Sequence, residues 1–333
     1  MDGGDHENMK KIIRVFTLWA MLFALCLPAE AQQAKKVARI GLVTQGSGTD
    51  AVSYRADALR QGLRELGWIE GKNIIIEHRR TEGKAERSLT IASDMVRLKV
   101  DVVVWSGGVQ GANQIKTIPV VYVATGDLVS TGLVEGLARP GGNITGLSSL
   151  GRELSGKRLE LLKETFPRVS KVAYLLNPNE PAIAVELEQL RGPAAALGLT
   201  LRPVEARGPD QIEPAFSNMI RERAEGLSTA SGAVNNTNRP RIVELAAWNR
   251  LPAIYHTSQF VDGGGLMSYG PNLADMFRRS ATYVDKILKG TKPGDLPVEQ
   301  PTKFEFIINL KTAKQIGVTI PPNVLTRADR VLK

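Results

Sequence analysis

Short runs of β-branched and aliphatic residues alternate along this chain with longer segments whose apolar positions recur at spacings of three and four. Residues 37–43 (VARIGLV) read as a buried strand, followed by a Gly- and Ser-rich loop over 44–49. The next segment places Ala56, Leu59, Leu63 and Leu66 on one helical face and ends at Gly67. Strands are expected over 73–77, 101–105 (DVVVW) and 118–124, with helices over 88–98 and 110–116 between them and a further short helix over 129–137. The third of these strands runs out into Ser106-Gly107-Gly108.

Residues 140–150 (PGGNITGLSSL) divide the pattern. They combine a Pro-Gly-Gly turn signal, a β-type run over 143–148 and a helix expected to begin near Arg152. The alternation then restarts. A helix carrying Leu154, Arg158, Leu162 and Thr165 is ended by Pro167; a strand over 171–176 is ended by Asn177-Pro178. Helices over 185–197, 211–224 and 241–250 alternate with strands over 200–205, 225–230 and 253–256, and a polar loop covers 231–239. In the second of these helices Phe216, Met219 and Ile220 face inward.

The remainder breaks the series: a glycine triplet at 263–265, a β-type run over 266–269, a helix over 272–288 striped by Phe277, Ala281, Val284 and Leu288, a strand over 304–308 and a helix over 311–316. These are too few for a third domain, so they are expected to return and complete the first two. Alternating strands and helices with short connections give parallel sheets with helices on both faces. At 333 residues the chain exceeds the size at which one core keeps growing. The expected architecture is therefore α/β, two doubly wound parallel-sheet lobes joined by a hinge in which 140–150 is one strand. Gly141, Gly142 and Gly146 are expected to tolerate the backbone rotation of closure.

Composition adds a compartment. Lys10, Lys11 and Arg14 precede an apolar run over 15–27, then Pro28 and the small-x-small triplet Ala29-Glu30-Ala31. This is the pattern of a secretory signal peptide over 1–31, too short and too early broken by proline for a membrane span. The acidic leader 1–8 fits no part of such a signal, which makes Met9 the expected start. Cys26 follows Leu25 rather than a small residue, which argues against a lipid anchor, and cleavage after Ala31 removes the one cysteine, so disulfides and thiolate metal sites are not expected. Residues 1–31 carry one net negative charge, so the formal balance of +9 rises to about +10 on their removal. The basic residues are spread rather than clustered, which reads as a solvated surface and not a nucleic-acid footprint.

Sequence motifs for chemistry are weak. Gly46-Ser47-Gly48-Thr49-Asp50-Ala51 matches a dinucleotide-binding turn, but the acidic residue on the next strand, Glu77, lies beyond the usual spacing. It reads as a glycine-rich turn at a helix start, and no cofactor is expected. Gly151 to Arg158 resembles a phosphate-binding loop with Arg158 where the Mg²⁺-binding hydroxyl belongs, and reads as a helix start. No G-x-S-x-G elbow occurs, and His78 and His256 are too far apart for a metal-binding helix; both read as surface or strand-end residues.

What remains is a recurrence of polar and Gly-rich loops at the carboxyl ends of strands, the edge where open parallel sheets bind ligands. It supplies the candidate site residues Gln45, Gly46, Ser47, Ser106, Gly107, Gly108, Thr125, Asp127, Asn177 and Ser231, with Tyr269 on a late strand. Trp105, Tyr122, Tyr255 and Tyr269 are candidate apolar walls. For a zwitterion such as an amino acid, Asp127 would face the ammonium group, and Ser47, Ser106 and nearby backbone N–H groups would hold the carboxylate.

Several stretches, LRELGWIEGKN (63–73), GLVEGLARPGGNITG (132–146), KRLELL (157–162), GGLMSYG (264–270), GTKPGDLP (290–297) and QPTKFEFIINLKTA (300–313), resemble the substrate-binding proteins of ABC transporters. The likeness is to the periplasmic binding protein type I fold and the branch related to tryptophan- and tyrosine-binding proteins. The resemblance implies lobes over 37–145 plus about 270–295, and 150–262 plus about 303–333, with hinge segments near 143–150, 264–270 and 296–304. It also implies a periplasmic monomer without catalytic activity or metal, a small-molecule ligand in the cleft, and an ABC permease with its ATPase as partners. Residues 107–116 look shorter than is usual in that family and SGAVNNTN (231–238) is unusual for it, so the ligand does not carry over. An exported enzyme or a sensory ligand-binding protein using the same cleft are the alternatives.

Overall fold

A computed structural model describes residues 37–45, 50–82, 84–123, 128–129, 131–148, 154–180 and 183–333. The expected signal peptide, Gly46, Ser47, Thr125, Asp127 and the sequence 149–153 lie outside the described residues.

The first sheet holds β1 (Ala38–Thr44), β2 (Ile74–Arg80), β3 (Val102–Trp105), β4 (Val120–Val123) and β5 (Ile144–Leu147) in the order β2-β1-β3-β4-β5, all parallel. The short strands β3, β4 and β5 are buried at every position, as expected where helices cover both faces. On one face α1 (Asp50–Glu65) buries Ala56, Leu59 and Leu63; on the other α2 (Ala85–Arg97) and α3 (Val109–Gln114) cover Val103 and Trp105. Gly67 has φ of +85° and ends α1, which leaves Leu66 beyond the helix and exposed rather than on its inner face.

The second sheet repeats that order. β6 (Lys171–Leu176), β7 (Thr200–Glu205), β8 (Gly226–Thr229), β9 (Ala253–Tyr255) and β10 (Met267–Pro271) pair in parallel as β7-β6-β8-β9-β10. Two further strands extend it, β11 (Phe304–Asn309) antiparallel to β10 and β12 (Arg330–Leu332) parallel to β11. One face is covered by α4 (Ser155–Thr165) and α5 (Ile183–Ala196), the other by α6 (Ile212–Arg221), α7 (Ala233–Thr237), α8 (Arg239–Trp248) and α9 (Ser258–Asp262).

The chain passes between the sheets three times, after the fifth strand of each lobe and again before β11. It leaves β5 for α4, leaves β10 for α10 (Leu273–Leu288), which packs along α1, and returns from Glu299 to β11. The third passage is tied to the first by Ser148 N–H to Glu299 O at 2.9 Å and Glu299 N–H to Gly146 O at 3.0 Å. Asn272 caps α10, its side chain accepting from Asp275 N–H at 2.9 Å, so the helix starts at the lobe boundary. Gly146 serves close packing: at φ +140° a Cβ there would meet the Tyr122 carbonyl at 2.1 Å, so it locks β5 against β4 rather than lending it rotation.

Three local expectations change. Residues 131–137 form turns, not a helix, because Gly132 (φ +70°) reverses the chain and buried Leu133 and Val134 anchor it. The polar loop after β8 contains α7, which runs into α8 at Arg239-Pro240, a proline in the first turn where its missing N–H costs nothing. A short helix, α9, follows β9; five residues are too few to show a period.

Candidate functional site

Strand order 2-1-3-4-5 reverses direction between the first and third strands, and the crevice at that switch point is where such sheets hold ligands. Gln45 follows β1 and Ser106 follows β3, its N–H bonded to Val43 O at 2.7 Å, so both stand at the switch point of the first lobe. Asn177 follows β6 and Ser231 lies two residues after β8, at the switch point of the second. All four are partly exposed.

The glycines after β3 are fixed by Trp105. A Cβ on Gly107 would lie 2.8 Å from both Thr81 and Val43 side chains, and Gly108 (φ +103°) turns its carbonyl to accept from Trp105 Nε1 at 2.8 Å. Trp105, Tyr122 and Tyr255 are core residues, 0%, 6% and 1% exposed, because their strands are covered on both faces. Burial accordingly pushes the Tyr122 and Tyr255 phenols far above their usual range. Tyr269 is half-buried, 6.3 Å from the Phe304 ring, with its backbone carbonyl accepting from Arg158 Nη1 at 3.3 Å. Asn177 spends its Oδ1 on a local turn, accepting from Asn179 N–H at 3.0 Å.

The edge of the second lobe is organised around His256, which is buried and not on the surface. Its Nδ1 lies 3.0 Å from Thr229 Oγ1, its Nε2 2.9 Å from Asn236 Oδ1, and its ring meets Phe260 edge-on at 5.1 Å. Burial, then Arg158 and Arg239, hold its pKa well below the ordinary 6.5, so the neutral ring donates from Nε2 to Asn236 and accepts from Thr229. Asn235 ties the same segment down, donating Nδ2 to Leu175 O and Ala230 O, both at 3.0 Å, across the switch point. Behind it, Arg158, 0% exposed, donates to Ser155, and Glu186 accepts from Ser155 Oγ and Tyr174 OH. Arg158 is held below its usual pKa by burial, with Tyr174 and Glu186 opposing.

Between the lobes lies a cavity of about 580 Å³. The first lobe contributes Tyr54 of α1, the lobe boundary Asn272, and the second lobe Arg239, Gln259, Glu305 and Arg330. Gln259 Nε2 stands 3.5 Å from Tyr54 OH, a direct polar contact from lobe to lobe. Glu305 accepts from Asn272 Nδ2 at 3.3 Å and is held above the usual carboxylate range by burial, with the Ser258 hydroxyl opposing. Tyr54, Arg239 and Gln259 carry no sequence signal of their own: one tyrosine among core residues of α1, and polar residues at the starts of two short helices, are indistinguishable from surface until the lobes are apposed.

Among the described residues no helix is long and apolar enough to cross a membrane. A curated relative, the tyrosine-binding protein of Clostridioides difficile strain R20291, is 26% identical over 262 residues, 78% of this chain and 75% of its own. A crystal structure of a conserved domain protein from Vibrio cholerae overlays with a TM-score of 0.78 at 28% identity, covering 89% of this chain and all of the other. A Streptococcus pneumoniae ABC domain in complex with L-Trp gives 0.77 at 25%, with 89% and 99% covered. The family model for ABC transporter substrate-binding proteins matches residues 42–332, almost everything from β1 to β12, and the chain belongs to that family.

Proposed function

We propose that this protein captures a small zwitterionic solute, of the size of an aromatic amino acid, between its lobes in the periplasm. It then presents the solute, unaltered and as a single chain, to a membrane permease powered by a separate ATPase. The observation that carries the reading is the cavity shared by Tyr54 of one lobe and Arg239, Gln259 and Glu305 of the other. A solute there touches both lobes at once, so binding and closure are one event. The tyrosine-binding relative and the L-Trp complex support an amino-acid ligand. Gln45, Ser106, Asn177 and Ser231 would supply hydrogen bonds from the strand edges, Tyr269 would wall the second lobe, and Gly46, Ser47, Gly107, Gly108, Thr125 and Asp127 complete the proposed set. Residues 1–31 would serve as the export signal.

The test is mass spectrometry of solute released by denaturing the purified protein, with a thermal-shift series in L-tyrosine, L-tryptophan and other amino acids. A ligand at a hundred times its Kd should add about 2.7 kcal/mol of stability. Recovery of a chemically unchanged solute and a concentration-dependent rise in Tm are expected. Turnover of the solute, or no shift with any small solute, would overturn the reading.

A further inference from the structure

Two guanidinium groups, one on each lobe, have no carboxylate partner among the described residues: Arg239, which lines the cavity, and Arg55, buried behind Tyr54 and outside the cavity lining. Arg330, which lines the same cavity, is bound to Asp262 at 2.5 Å. Arg239 instead donates Nη1 to two neutral acceptors, Asn236 O at 3.1 Å and Gln259 Oε1 at 3.2 Å, and its guanidinium lies 6.0 Å from the Phe260 ring centre. Arg55, on α1 and only 5% exposed, donates Nε to Tyr54 OH at 3.3 Å and sits 5.8 Å and 5.7 Å from the Tyr54 and Phe277 ring centres. Gln259 closes the chain to Tyr54 OH at 3.5 Å, the long limit of a hydrogen bond. Arg55, Tyr54, Gln259 and Arg239 thus run from lobe to lobe with neutral groups in the middle and a cation at each end.

Such an arrangement is costly as it stands. A largely desolvated cation needs an anion or several strong acceptors, and each of these has only neutral ones. The two also feel each other: after burial, Arg55 is what most lowers the Arg239 pKa. An anion beside Arg239 offsets that repulsion. Both guanidinium groups lie against aromatic rings, which pre-orients them for a planar, two-oxygen partner.

We propose that Arg239 holds a carboxylate on the solute, with Tyr54 and Gln259 as the neutral edge of that subsite and Arg55 behind Tyr54 adding its charge from the other lobe, a clamp built from both lobes. The clamp rests on the interlobe solute site proposed above and names what that site reads.

Calorimetric titration of the full chain with probes that differ only in the acid group tests it: L-tyrosine against L-tyrosinamide, L-tryptophan against L-tryptophanamide, and 3-phenylpropionate against 3-phenylpropionamide. The acids should bind, and their amides at least about tenfold more weakly. Arg239→Gln should weaken the acids by about 10- to 100-fold, the range of a charge-assisted hydrogen bond, and bring acid and amide together. Arg239→Lys, which keeps the charge, should recover part of the loss, and Tyr54→Phe should cost less than Arg239→Gln. Acid and amide binding alike, Arg239→Gln binding the acids as the parent does, or Gln and Lys variants failing equally with unchanged Tm, would each overturn the clamp while leaving a solute site standing. Failure of every probe, with no solute released on denaturation, would instead remove the solute site and the clamp with it.

Discussion

The two lobes share the strand order 2-1-3-4-5 and bury very different side chains beneath it. The first lobe is covered by aliphatic and aromatic residues on both faces, and its buried polar groups are scattered, among them Thr44, Arg55, Thr81, Ser88, Thr145, Ser280 and Asp285. Asp285 is matched by Trp68 Nε1 at 2.9 Å and by Lys289. The second lobe concentrates Ser155, Arg158, Glu186, Thr229, Asn235 and His256, all buried, between its strands and the cleft. One lobe is an apolar sandwich that offers side chains to the gap. The other is a polar framework that holds its half of the site in a fixed geometry, at the expense of depending on every partner in the network. A ligand site assembled from such halves has one wall set in advance and one that docks against it.

The sharpest break of that comparison is Glu186→Ala. Glu186 is 2% exposed, accepts from Ser155 and Tyr174, and offsets the charge of Arg158. Removing it strips a carboxylate from a buried cation, which costs roughly 3–5 kcal/mol. Urea denaturation should show that loss, with Glu186→Gln, which keeps an acceptor oxygen, losing less. Equal and small effects from both would mean that the framework does not hold the second lobe.

The contrast between lobes also marks what the amino-acid pattern reveals. Strands such as β3 and β4, and stripes such as Phe277, Ala281 and Val284 on α10, are readable because burial against a sheet imposes a period on the chain itself. The strand-end positions of Gln45, Ser106, Asn177 and Ser231 follow from the same periods. Turns over 131–137 escape because Gly132 and Gly136 interrupt an apolar run. Trp105, Tyr122 and Tyr255 look like ligand walls because an aromatic at a strand end is equally suited to the core, and only the covering helices decide. Arg55, Arg158, Arg239 and His256 are the least readable. A lone basic residue reads as solvated surface, and its burial depends on elements far away in sequence.

A sharper test of the apolar lobe lies where α1 meets α10. A Cβ at Gly62 would fall 2.3 Å from the Arg278 carbonyl and 2.9 Å from Ala281 Cβ. Helix propensity alone would make Gly62→Ala stabilising by about 1 kcal/mol. Overpacking against backbone reverses that sign, so a net loss of about 1–3 kcal/mol is expected in chemical denaturation. A gain would show that the two helices separate freely and that the first lobe is less tightly packed than its burial implies.

The smallest expected effect is a slope, and it separates the lobes by pH. His256 is held well below 6.5 in the folded protein by burial, then by Arg158 and Arg239. The unfolded chain therefore takes up a proton near pH 6.5 that the folded chain refuses, so this contribution is complete above 6.5 and is lost as pH falls. Between pH 6.5 and 5.5 the loss should be about 1 kcal/mol. His78 of the first lobe is lowered too, by burial and then Arg80, Arg60 and Arg79, and adds in the same direction. Glu305 acts oppositely: its raised pKa gives stability that is present at low pH and lost as pH rises through the raised value. The two histidines are separated by comparing urea denaturation across that range for the parent, His256→Gln and His78→Gln. The His256 variant should be less stable at every pH but flatter, while the half-buried His78 changes the slope less. Parallel curves for parent and His256→Gln would mean that His256 is protonated in the fold, with Nδ1 then donating to Thr229 Oγ1 instead of accepting from it.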